Sequence, residues 1–344
     1  MKILKVAIIG CGNIFPMHAQ SIKEVENAEI VAVCDIKEDR AKEKADQYNC
    51  NYYIDYKDML SKKDIDVVHI CLPHFLHAQV AIYASKLGKH ILTEKPMSIK
   101  LSDAEAMVKT AKENNVTLGV IFQNRYNPGS RLIKETLESG ELGEILGGKV
   151  EVTWKRTDEY YGNSDWKGTW DMEGGGVIID QAIHTMDLMR WFVGSDIDYI
   201  DANISNRAHK IIQVEDSAEG VVKYKNGVVT AFHAINYYTY DAPVKLEIHC
   251  EKGMVNMVGD RADIKFNDGR ELIADNNPND TFDYGNGAKG YWGTSHTKQI
   301  KNYYASISAG LQPDITGDDA IKTQKMICAI YESGRKRVRI SCNK

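Results

Sequence analysis

The sequence predicts an α/β domain with a doubly wound parallel sheet, followed by an α+β domain with a large, mostly antiparallel open sheet. Over roughly the first 120 residues, short continuous apolar runs alternate with helical stretches, which is typical of parallel strands covered on both faces. Hairpin signals then dominate residues 197–273. A chain of 344 residues exceeds the usual domain size of about 100 to 200 residues. We therefore expect two domains, 1–122 and 123–344.

In the first domain the apolar runs are read as strands and the longer patterns between them as helices. Strands are expected at 4–9, 30–34, 67–72, 90–93 and 117–121, and helices at 37–48, 75–87 and 102–114. The last helix opens with Ser102-Asp103-Ala104-Glu105, a capping box in which two side chains satisfy free backbone donors.

The second domain begins with a helix and continues with turns between alternating runs. The helix is expected at 176–193, and Asn226-Gly227, Lys252-Gly253 and Asn267-Asp268-Gly269 predict hairpins. A polar loop at 275–290 then leads to helices at about 295–309 and 318–333. The basic run 335–337 alternates into Val338 and Ile340, so we assign it to the solvent face of a last strand.

Composition excludes several classes of function. A net charge of -5 and a pI near 6.1 give no broad attraction to nucleic acid or to anionic lipid. The seven cysteines form no Cys-x-x-Cys pair and no zinc-like spacing, and no stretch approaches the length of a membrane span. We expect a cytoplasmic protein without a bound metal, and with neither nucleic acid nor membrane as a partner.

A dinucleotide site is predicted where the first strand ends. Gly10-Cys11-Gly12 closes that strand and opens a helix, where a pyrophosphate needs close backbone approach and free amide donors. Phe15 takes the place of the usual third glycine, but Asp35 closes the second strand at about the spacing of 20 residues expected for a ribose-binding acid. The alternatives are that the glycines form a plain tight turn and that Asp35 caps the helix at 37. The combined pattern favours a Rossmann domain.

The same acid bears on the choice of cofactor. A carboxylate at Asp35 repels a 2′-phosphate, which favours NAD. Lys37 and Arg40 follow closely and would tolerate NADP, although both suit the role of solvated helix charges. We expect NAD, with NADP left open.

Two further segments carry the residue types of acid-base chemistry. Thr93-Glu94-Lys95-Pro96 stands at the end of an apolar strand, and the proline keeps Lys95 extended. In the helix at 176–193, which is apolar almost all round and hence buried, Asp180 and His184 are four apart and share a face that Asp187 extends. Buried polar groups must pair or line a cavity. A satisfied core pair and a metal site are the alternatives, and the metal site lacks obvious further ligands.

Taken together, these motifs resemble the Gfo/Idh/MocA family of NAD(P)-dependent sugar and cyclitol oxidoreductases over nearly the whole chain. The matching residues, in order, are Gly10-Cys11-Gly12, Pro73 and His77, Glu94-Lys95-Pro96, and Gly174-Gly175-Gly176 leading to Asp180 and His184. Phe15, Leu72 and Ala182 depart from the common pattern, where glycine, threonine and glycine are frequent. None of the three removes a reacting group.

The resemblance implies roles for these residues. Lys95 and His184 would meet at the nicotinamide, with His184 taking the hydroxyl proton and Lys95 stabilising the alkoxide, while Asp180 helps to bind substrate. It also implies a cis Lys95-Pro96 peptide and a homodimer or homotetramer built on the open sheet. The cofactor-binding residues expected are Gly10, Gly12, Asn13, Ile14, Asp35, Ile36, Lys37, Leu72, Pro73, His77, Glu94 and Lys95.

An aromatic cluster precedes the second motif and predicts a substrate pocket. It comprises Trp154, Arg156, Tyr160, Tyr161, Trp166 and Trp170. Aromatic faces stack on sugar rings, although the same residues would suit a core or a subunit interface. We expect Lys95, Asp180, His184, Arg156, Tyr160 and Trp166 to bind substrate, with Tyr237, Tyr238, Trp292 and His296 as weaker candidates.

The expected activity follows from these residues and from the resemblance. It is hydride transfer between NAD and a ring secondary alcohol or ketone of a sugar, glycoside or cyclitol, and the lack of a dense basic cluster favours a neutral substrate. A redox-neutral, NAD-dependent glycosidase is the first alternative. A nucleotide sensor or scaffold without chemistry is the second, and a pure sensor has no need of Lys95, Asp180 and His184.

Overall fold

The computed structural model describes residues 2–62, 64–276, 284 and 295–342, and the chain folds as two compact units. The first consists of Met1–Gln123 with Asn279–Ile321, and the second of Asn124–Pro278 with Lys322–Lys344. The first unit therefore includes a late segment of the chain, which residue order alone does not indicate.

The first unit contains a six-stranded parallel sheet. Its strands are β1 (Leu4–Ile9), β2 (Ala28–Cys34), β3 (Asn51–Tyr53), β4 (Val67–Ile70), β5 (His90–Thr93) and β6 (Leu118–Val120). They lie in the order β3-β2-β1-β4-β5-β6, which is the doubly wound order that binds dinucleotides at its switch point. The predicted fold class is confirmed. Only the short edge strand β3 was not expected, because its three residues show no apolar run.

The second unit contains a nine-stranded, mostly antiparallel sheet. Its strands are β7 (Ile145–Thr153), β8 (Ile197–Ser205), β9 (Ser217–Tyr224), β10 (Val229–Ile235), β11 (Lys245–Cys250), β12 (Gly253–Val258), β13 (Arg261–Phe266), β14 (Glu271–Ala274) and β15 (Ile340–Ser341). The order is β14-β13-β12-β11-β7-β10-β9-β8-β15, and β7 pairs in parallel with β10. Self-association through this sheet stays a prediction.

Among the described residues, the α-helices alternate with the strands in the first unit, whereas in the second they precede β7, lie between β7 and β8, and precede β15. In chain order they are α1 (Phe15–Lys23), α2 (Glu38–Tyr48), α3 (Tyr56–Leu60), α4 (His74–Lys86), α5 (Leu101–Glu113), α6 (Pro128–Glu138), α7 (Asp158–Gly162), α8 (Ile183–Val193), α9 (Ser295–Ser308) and α10 (Gly317–Lys336). A π-helix, Val177–Ala182, runs directly into α8. Where one regular helix was expected at 176–193, the chain therefore starts with a wider turn. No helix in the described ranges is long and apolar enough to cross a bilayer.

Two local predictions were wrong. Helix α5 starts at Leu101 after an extended Lys100 that makes no side-chain cap, so Ser102 lies inside the first turn and the predicted capping box does not form. Arg335 and Lys336 belong to the last turn of α10 rather than to a strand, where cations are favoured by the negative end of the helix dipole.

Helix α9 completes the core of the first unit. Ile300, Tyr303 and Tyr304 join the apolar cluster formed by β1 and α1, and Ser21 on α1 hydrogen-bonds Thr297 at 2.8 Å. The Tyr303 hydroxyl donates to the Ile91 carbonyl on β5 at 2.9 Å. The late helix thus fixes the strand that leads to Lys95.

Candidate active site

Strand register aligns four chain segments at one edge of the parallel sheet. Ile9 lies opposite Cys34 and Ile70, and Ile70 lies opposite Thr93. The residues that follow these strand ends, including Gly10, Asp35 and Glu94, therefore share the carboxyl edge. In doubly wound sheets this edge holds the ligand.

The turn after β1 fits a dinucleotide. Gly10 has φ +96°, and a Cβ there would lie 2.2 Å from the Cys71 carbonyl oxygen, so only glycine fits. At the start of α1, Phe15 N donates to the Gly12 carbonyl and Met17 N to the Ile14 carbonyl, both at 3.1 Å, and Pro16 has no N–H; the fit to a dinucleotide therefore depends on close backbone approach at the glycines. Gly12 is half-buried and Asn13 is exposed. Phe15, in place of the third glycine, points into the core at 1% exposure, so it does not fill the phosphate position.

Asp35 is held by backbone donors at the end of β2. Its Oδ2 accepts from Cys11 N at 3.0 Å, and its Oδ1 accepts from Lys37 N at 2.9 Å. Arg40 approaches Oδ2 at 3.4 Å. Each carboxylate oxygen can accept further hydrogen bonds, so capping and ribose binding are compatible. Ile36 is 88% exposed and Lys37 is also exposed, beside the expected adenosine position.

Glu94 is buried directly before Lys95. Its Oε1 lies 2.9 Å from His18 Nε2 and 3.5 Å from His296 Nε2. Burial alone would raise the pKa of Glu94, but the hydrogen bonds from these two histidines hold it well below its usual value. Lys95 itself is half-buried, and the Lys95-Pro96 peptide is cis, as the resemblance implied. The ionised carboxylate thus anchors the strand end that presents Lys95.

The network at Glu94 continues through the first unit. His18 Nδ1 lies 2.7 Å from His69 Nδ1, and His69 Nε2 lies 2.9 Å from the Tyr304 hydroxyl. Burial lowers the pKa of His69 well below its usual value. One set of tautomers satisfies all three contacts: the Tyr304 hydroxyl donates to His69, His69 to His18, and His18 to the Glu94 carboxylate. Sequence reasoning did not find this hydrogen-bond network, since its residues are far apart along the sequence.

His77 connects the two loops expected to meet the cofactor. Its Nε2 lies 2.7 Å from the Leu72 carbonyl oxygen, and its Nδ1 lies 2.7 Å from the Pro96 carbonyl oxygen. Burial lowers the pKa of His77, against the opposite effect of the two carbonyls. The ring is fully buried, whereas Leu72 and Pro73 are half-buried. In the first unit His77 therefore supports the loops, and direct contact with a cofactor stays a prediction.

The segment from Glu173 to Arg190 in the second unit is accessible at only two side chains. Asp180 and His184 are half-buried, and every other residue between these ends is buried. Asp180 lies in the π-helix and His184 in the first turn of α8. The two residues predicted to share a face are thus the accessible ones of an otherwise buried segment.

Asp180 is the centre of a polar cluster. Its Oδ2 accepts from Lys167 Nζ at 2.6 Å, from the Tyr160 hydroxyl at 2.8 Å and from Gln181 Nε2 at 2.7 Å. Lys167 Nζ also donates to the Tyr160 hydroxyl at 2.6 Å and lies 4.7 Å from the centre of the Trp166 ring. Burial lowers the pKa of Lys167, but Asp180 more than reverses this and raises it.

Lys167 was missed by sequence reasoning, although it directly follows Trp166 in the aromatic cluster. A cation within an aromatic run is the signal that would have found it.

Glu173 is a second carboxyl in this cluster. Its Oε2 accepts from Gly168 N at 2.5 Å, and its Oε1 lies 3.7 Å from Lys167 Nζ. Burial, reinforced by the negative charge of Asp180, raises the pKa of Glu173 from 4.5 to about 8. At neutral pH the carboxyl is therefore mostly protonated, so the Lys167 charge is matched by Asp180.

Five of the six residues of the aromatic cluster are half-buried, and Tyr161 is buried. Arg156 binds Asp241 at 2.9 Å and lies over the Tyr160 ring, and Arg156, Tyr160 and Trp166 are half-buried. Tyr161 is 3% exposed. The other two residues of the cluster bind backbone carbonyls: Trp154 donates to Ala242 and Trp170 donates to Gln213. His296, one of the weaker candidates outside the cluster, contacts Glu94. Trp292 lies outside the described residues.

Asp187 does not extend the accessible face. It is 1% exposed, and it forms a bidentate ion pair with Arg125 at 2.6 and 2.7 Å. Burial alone would raise the pKa of Asp187, but Arg125 lowers it below its usual value. Asp187 is thus a structural ion pair. Among the described residues no group of three or more His, Cys, Asp or Glu side chains is arranged to hold a metal.

Comparison with known proteins gives two family matches and related chains. Residues 4–122 match the GFO_IDH_MocA model, an oxidoreductase family with an NAD-binding Rossmann fold, and residues 130–256 match the GFO/IDH/MocA C-terminal domain. The uncharacterized oxidoreductase YrbE of Bacillus subtilis is 26% identical over 96% of this chain and 94% of its own. Inositol 2-dehydrogenase of Salmonella typhimurium is 26% identical over 74% of each chain.

A solved structure of similar shape is the WlbA dehydrogenase from Bordetella pertussis in complex with NADH and UDP-GlcNAcA. It is 27% identical, with a TM-score of 0.88, and the match covers 100% of this chain and 99% of that one.

Proposed function

Because the chain belongs to the Gfo/Idh/MocA family of NAD-binding oxidoreductases, we propose that it oxidises a ring secondary alcohol of a neutral sugar, glycoside or cyclitol, or reduces the corresponding ketone. When bound, NAD would accept the hydride in the oxidation, and NADH would donate it in the reduction. The observation that carries the proposal is the buried segment 173–190, whose only accessible side chains are a carboxylate and an imidazole. A buried helix that served only packing would not place a carboxylate and an imidazole at its accessible positions, because apolar residues fill such positions at lower cost.

Each reacting residue has a distinct role in this proposal. His184 takes the proton of the substrate hydroxyl, and Lys95 stabilises the negative charge that develops on that oxygen. Asp180 accepts a hydrogen bond from a neighbouring ring hydroxyl. In the reverse direction, His184 returns the proton to the reduced carbonyl oxygen.

Charge pairing supports a neutral substrate. Lys167 is paired with Asp180 at 2.6 Å, and Arg156 is paired with Asp241 at 2.9 Å. Because Lys167 and Arg156 each already have a carboxylate partner, an anionic group on the substrate would have to displace that partner in order to bind either cation. The named activity of the Salmonella relative, an inositol 2-dehydrogenase, agrees with a cyclitol. The ligand bound to the WlbA dehydrogenase makes a nucleotide sugar the comparison to include.

The test is a substrate screen followed by two substitutions. Neutral sugars, glycosides, inositols and UDP-sugars are incubated with NAD or NADP, and reduced nicotinamide is followed by absorbance. On the best substrate, Lys95→Met and His184→Ala should each lower kcat by roughly a hundredfold or more, with NADH binding nearly unchanged. The matched controls are Lys100→Met and His249→Ala, whose side chains are exposed.

Three results would count against the proposal. Near-wild-type turnover in both site variants would remove Lys95 and His184 from the chemistry. A strong preference for UDP-sugars would contradict a neutral substrate. Cleavage of a glycoside without net accumulation of reduced nicotinamide would indicate a redox-neutral glycosidase instead.

A further inference from the structure

The backbone amides that open the segment carrying Asp180 are bound by two residues from other parts of the second unit. The first four amides of a helix have no partner within the helix. Gly176 N donates to Glu215 Oε2 at 2.9 Å, and Ile178 N donates to Glu215 Oε1 at 3.1 Å. Val177 N donates to the Glu215 backbone carbonyl at 3.2 Å. Ile179 N donates to the Tyr331 hydroxyl at 3.1 Å.

Glu215 and Tyr331 also bind each other. The Tyr331 hydroxyl donates to Glu215 Oε1 at 2.9 Å, so one hydroxyl accepts from the segment and donates to the carboxylate. Glu215 is 2% exposed and Tyr331 is 5% exposed. Together Glu215 and Tyr331 accept hydrogen bonds from the four backbone amides at 176–179.

The glycines before the segment make this arrangement sterically feasible. A Cβ on Gly175 would lie 2.0 Å from the Tyr331 hydroxyl oxygen, and a Cβ on Gly176 would lie 1.9 Å from the Glu215 carbonyl oxygen. Any larger residue would push one of these two partners away. The run Gly174-Gly175-Gly176 thus permits close approach of Glu215 and Tyr331.

We propose that Glu215 and Tyr331 are positioning residues that set the location of Asp180 and His184. The inference rests on the proposed function of those two residues. Asp180 lies in a π-helix, a geometry that is rare and associated with functional sites. Because a π-turn is less favourable than an α-turn, contacts from outside must hold it. The amide partners from Glu215 and Tyr331 act on its first turn, and the side chains of Asp180 and His184 move with that turn.

The test uses Tyr331→Phe, which deletes one hydroxyl and keeps the ring. The expected result is a kcat lower by roughly ten- to hundredfold, since small displacements of a reacting group cost about this much, with the Kd for NADH unchanged. Hydrogen exchange should accelerate in the peptide 176–183. Glu215→Gln is the second variant. Its NH2 group replaces one carboxylate oxygen and places a donor opposite the backbone donor Gly176 N or Ile178 N. This variant should show the same lower kcat, unchanged Kd for NADH and faster exchange.

Tyr224→Phe is the matched control. Tyr224 is also a fully buried tyrosine of the second unit, but its hydroxyl bonds Thr230. This variant should lose stability without losing kcat and without faster exchange in 176–183. Unchanged kcat in both test variants, or an equal fall in the control, would overturn the inference while leaving the proposed function intact. If the wild-type protein turns over no substrate in the screen, the proposed function fails, and exchange in 176–183 alone decides whether Glu215 and Tyr331 hold the segment.

Discussion

The ion pair between Lys167 and Asp180 allows a quantitative test by a double-mutant cycle. Lys167→Met keeps the length of the side chain and removes its charge, while Asp180→Asn removes the opposite charge. The side chains of Lys167 and Asp180 are 16% and 11% exposed, and their charged atoms lie 2.6 Å apart. Removing one partner of a buried pair costs about 3 to 5 kcal/mol. Because both groups retain some contact with water, we expect about 2 to 4 kcal/mol for Lys167→Met.

The cycle separates the pair from the rest of the cluster. In the double variant neither charge is left alone, so the two losses should not add, and the coupling free energy should be about 2 kcal/mol. An exposed pair on the open sheet supplies the control. Lys245 and Glu151 lie 3.1 Å apart with side chains 52% and 43% exposed, and exposed pairs contribute only about 0 to 1 kcal/mol.

Urea unfolding of the four proteins in each cycle, followed by tryptophan fluorescence, gives the free energies of unfolding. Trp166 lies beside Lys167 and reports on this part of the second unit. A coupling for Lys167 and Asp180 no larger than that of Lys245 and Glu151 would refute the reasoning. It would mean that Lys167 does not hold the Asp180 carboxylate in solution. The argument for a neutral substrate would then depend on the Arg156–Asp241 pair alone.

Two other predictions concern the cofactor turn and the buried carboxyl. Gly10→Ala places a methyl group 2.2 Å from the Cys71 carbonyl oxygen at φ +96°, and it should weaken NADH binding about tenfold or more in a fluorescence titration. The control is Gly227→Ala, which has the same φ but lies in open space and should leave NADH binding unchanged. Equal effects of the two variants would contradict the steric argument. Because burial raises the pKa of Glu173 from 4.5 to about 8, the folded state retains a proton that the unfolded state loses, and this contribution to stability falls as pH rises through that interval. The unfolding temperature, Tm, measured from pH 5 to 8.5 should fall less steeply with pH in Glu173→Gln than in the wild type, whereas the control Glu159→Gln, at an exposed residue, should fall like the wild type. A wild-type slope of Tm against pH in Glu173→Gln would show that Glu173 is ionised throughout this range.

Local patterns in the sequence were sufficient for most of the parallel sheet of the first unit, but not for the addition of α9 to its core. Continuous apolar runs and helical spacing are properties of neighbouring residues, so the parallel strands and the turn at Gly10-Cys11-Gly12 could be predicted. The i, i+4 spacing of Asp180 and His184 predicted a common face, and in the structure both residues are the accessible ones of a buried segment. The family resemblance supplied the order of the motifs.

Spacing alone gave the wrong result for Asp187. It follows Asp180 and His184 at helical intervals, yet its partner is Arg125, 62 residues earlier. Sequence spacing can place a carboxylate near a reactive face although the carboxylate in fact forms an ion pair elsewhere. The partner in that ion pair is close only because of tertiary packing. The same limit explains why Lys167 was missed, since nothing in its local pattern identifies Asp180 as its partner.

The sequence by itself thus determined most strands of the parallel sheet, the glycine turn, and the spacing of Asp180 and His184. Tertiary structure alone decided the hydrogen-bond partners: Glu215 and Tyr331 bind amides 39 and 152 residues away along the chain, and His18 reaches Glu94 across 76 residues. The physical reason is that periodicity acts over a few residues, whereas buried polar groups must find any partner that the fold brings within hydrogen-bond distance.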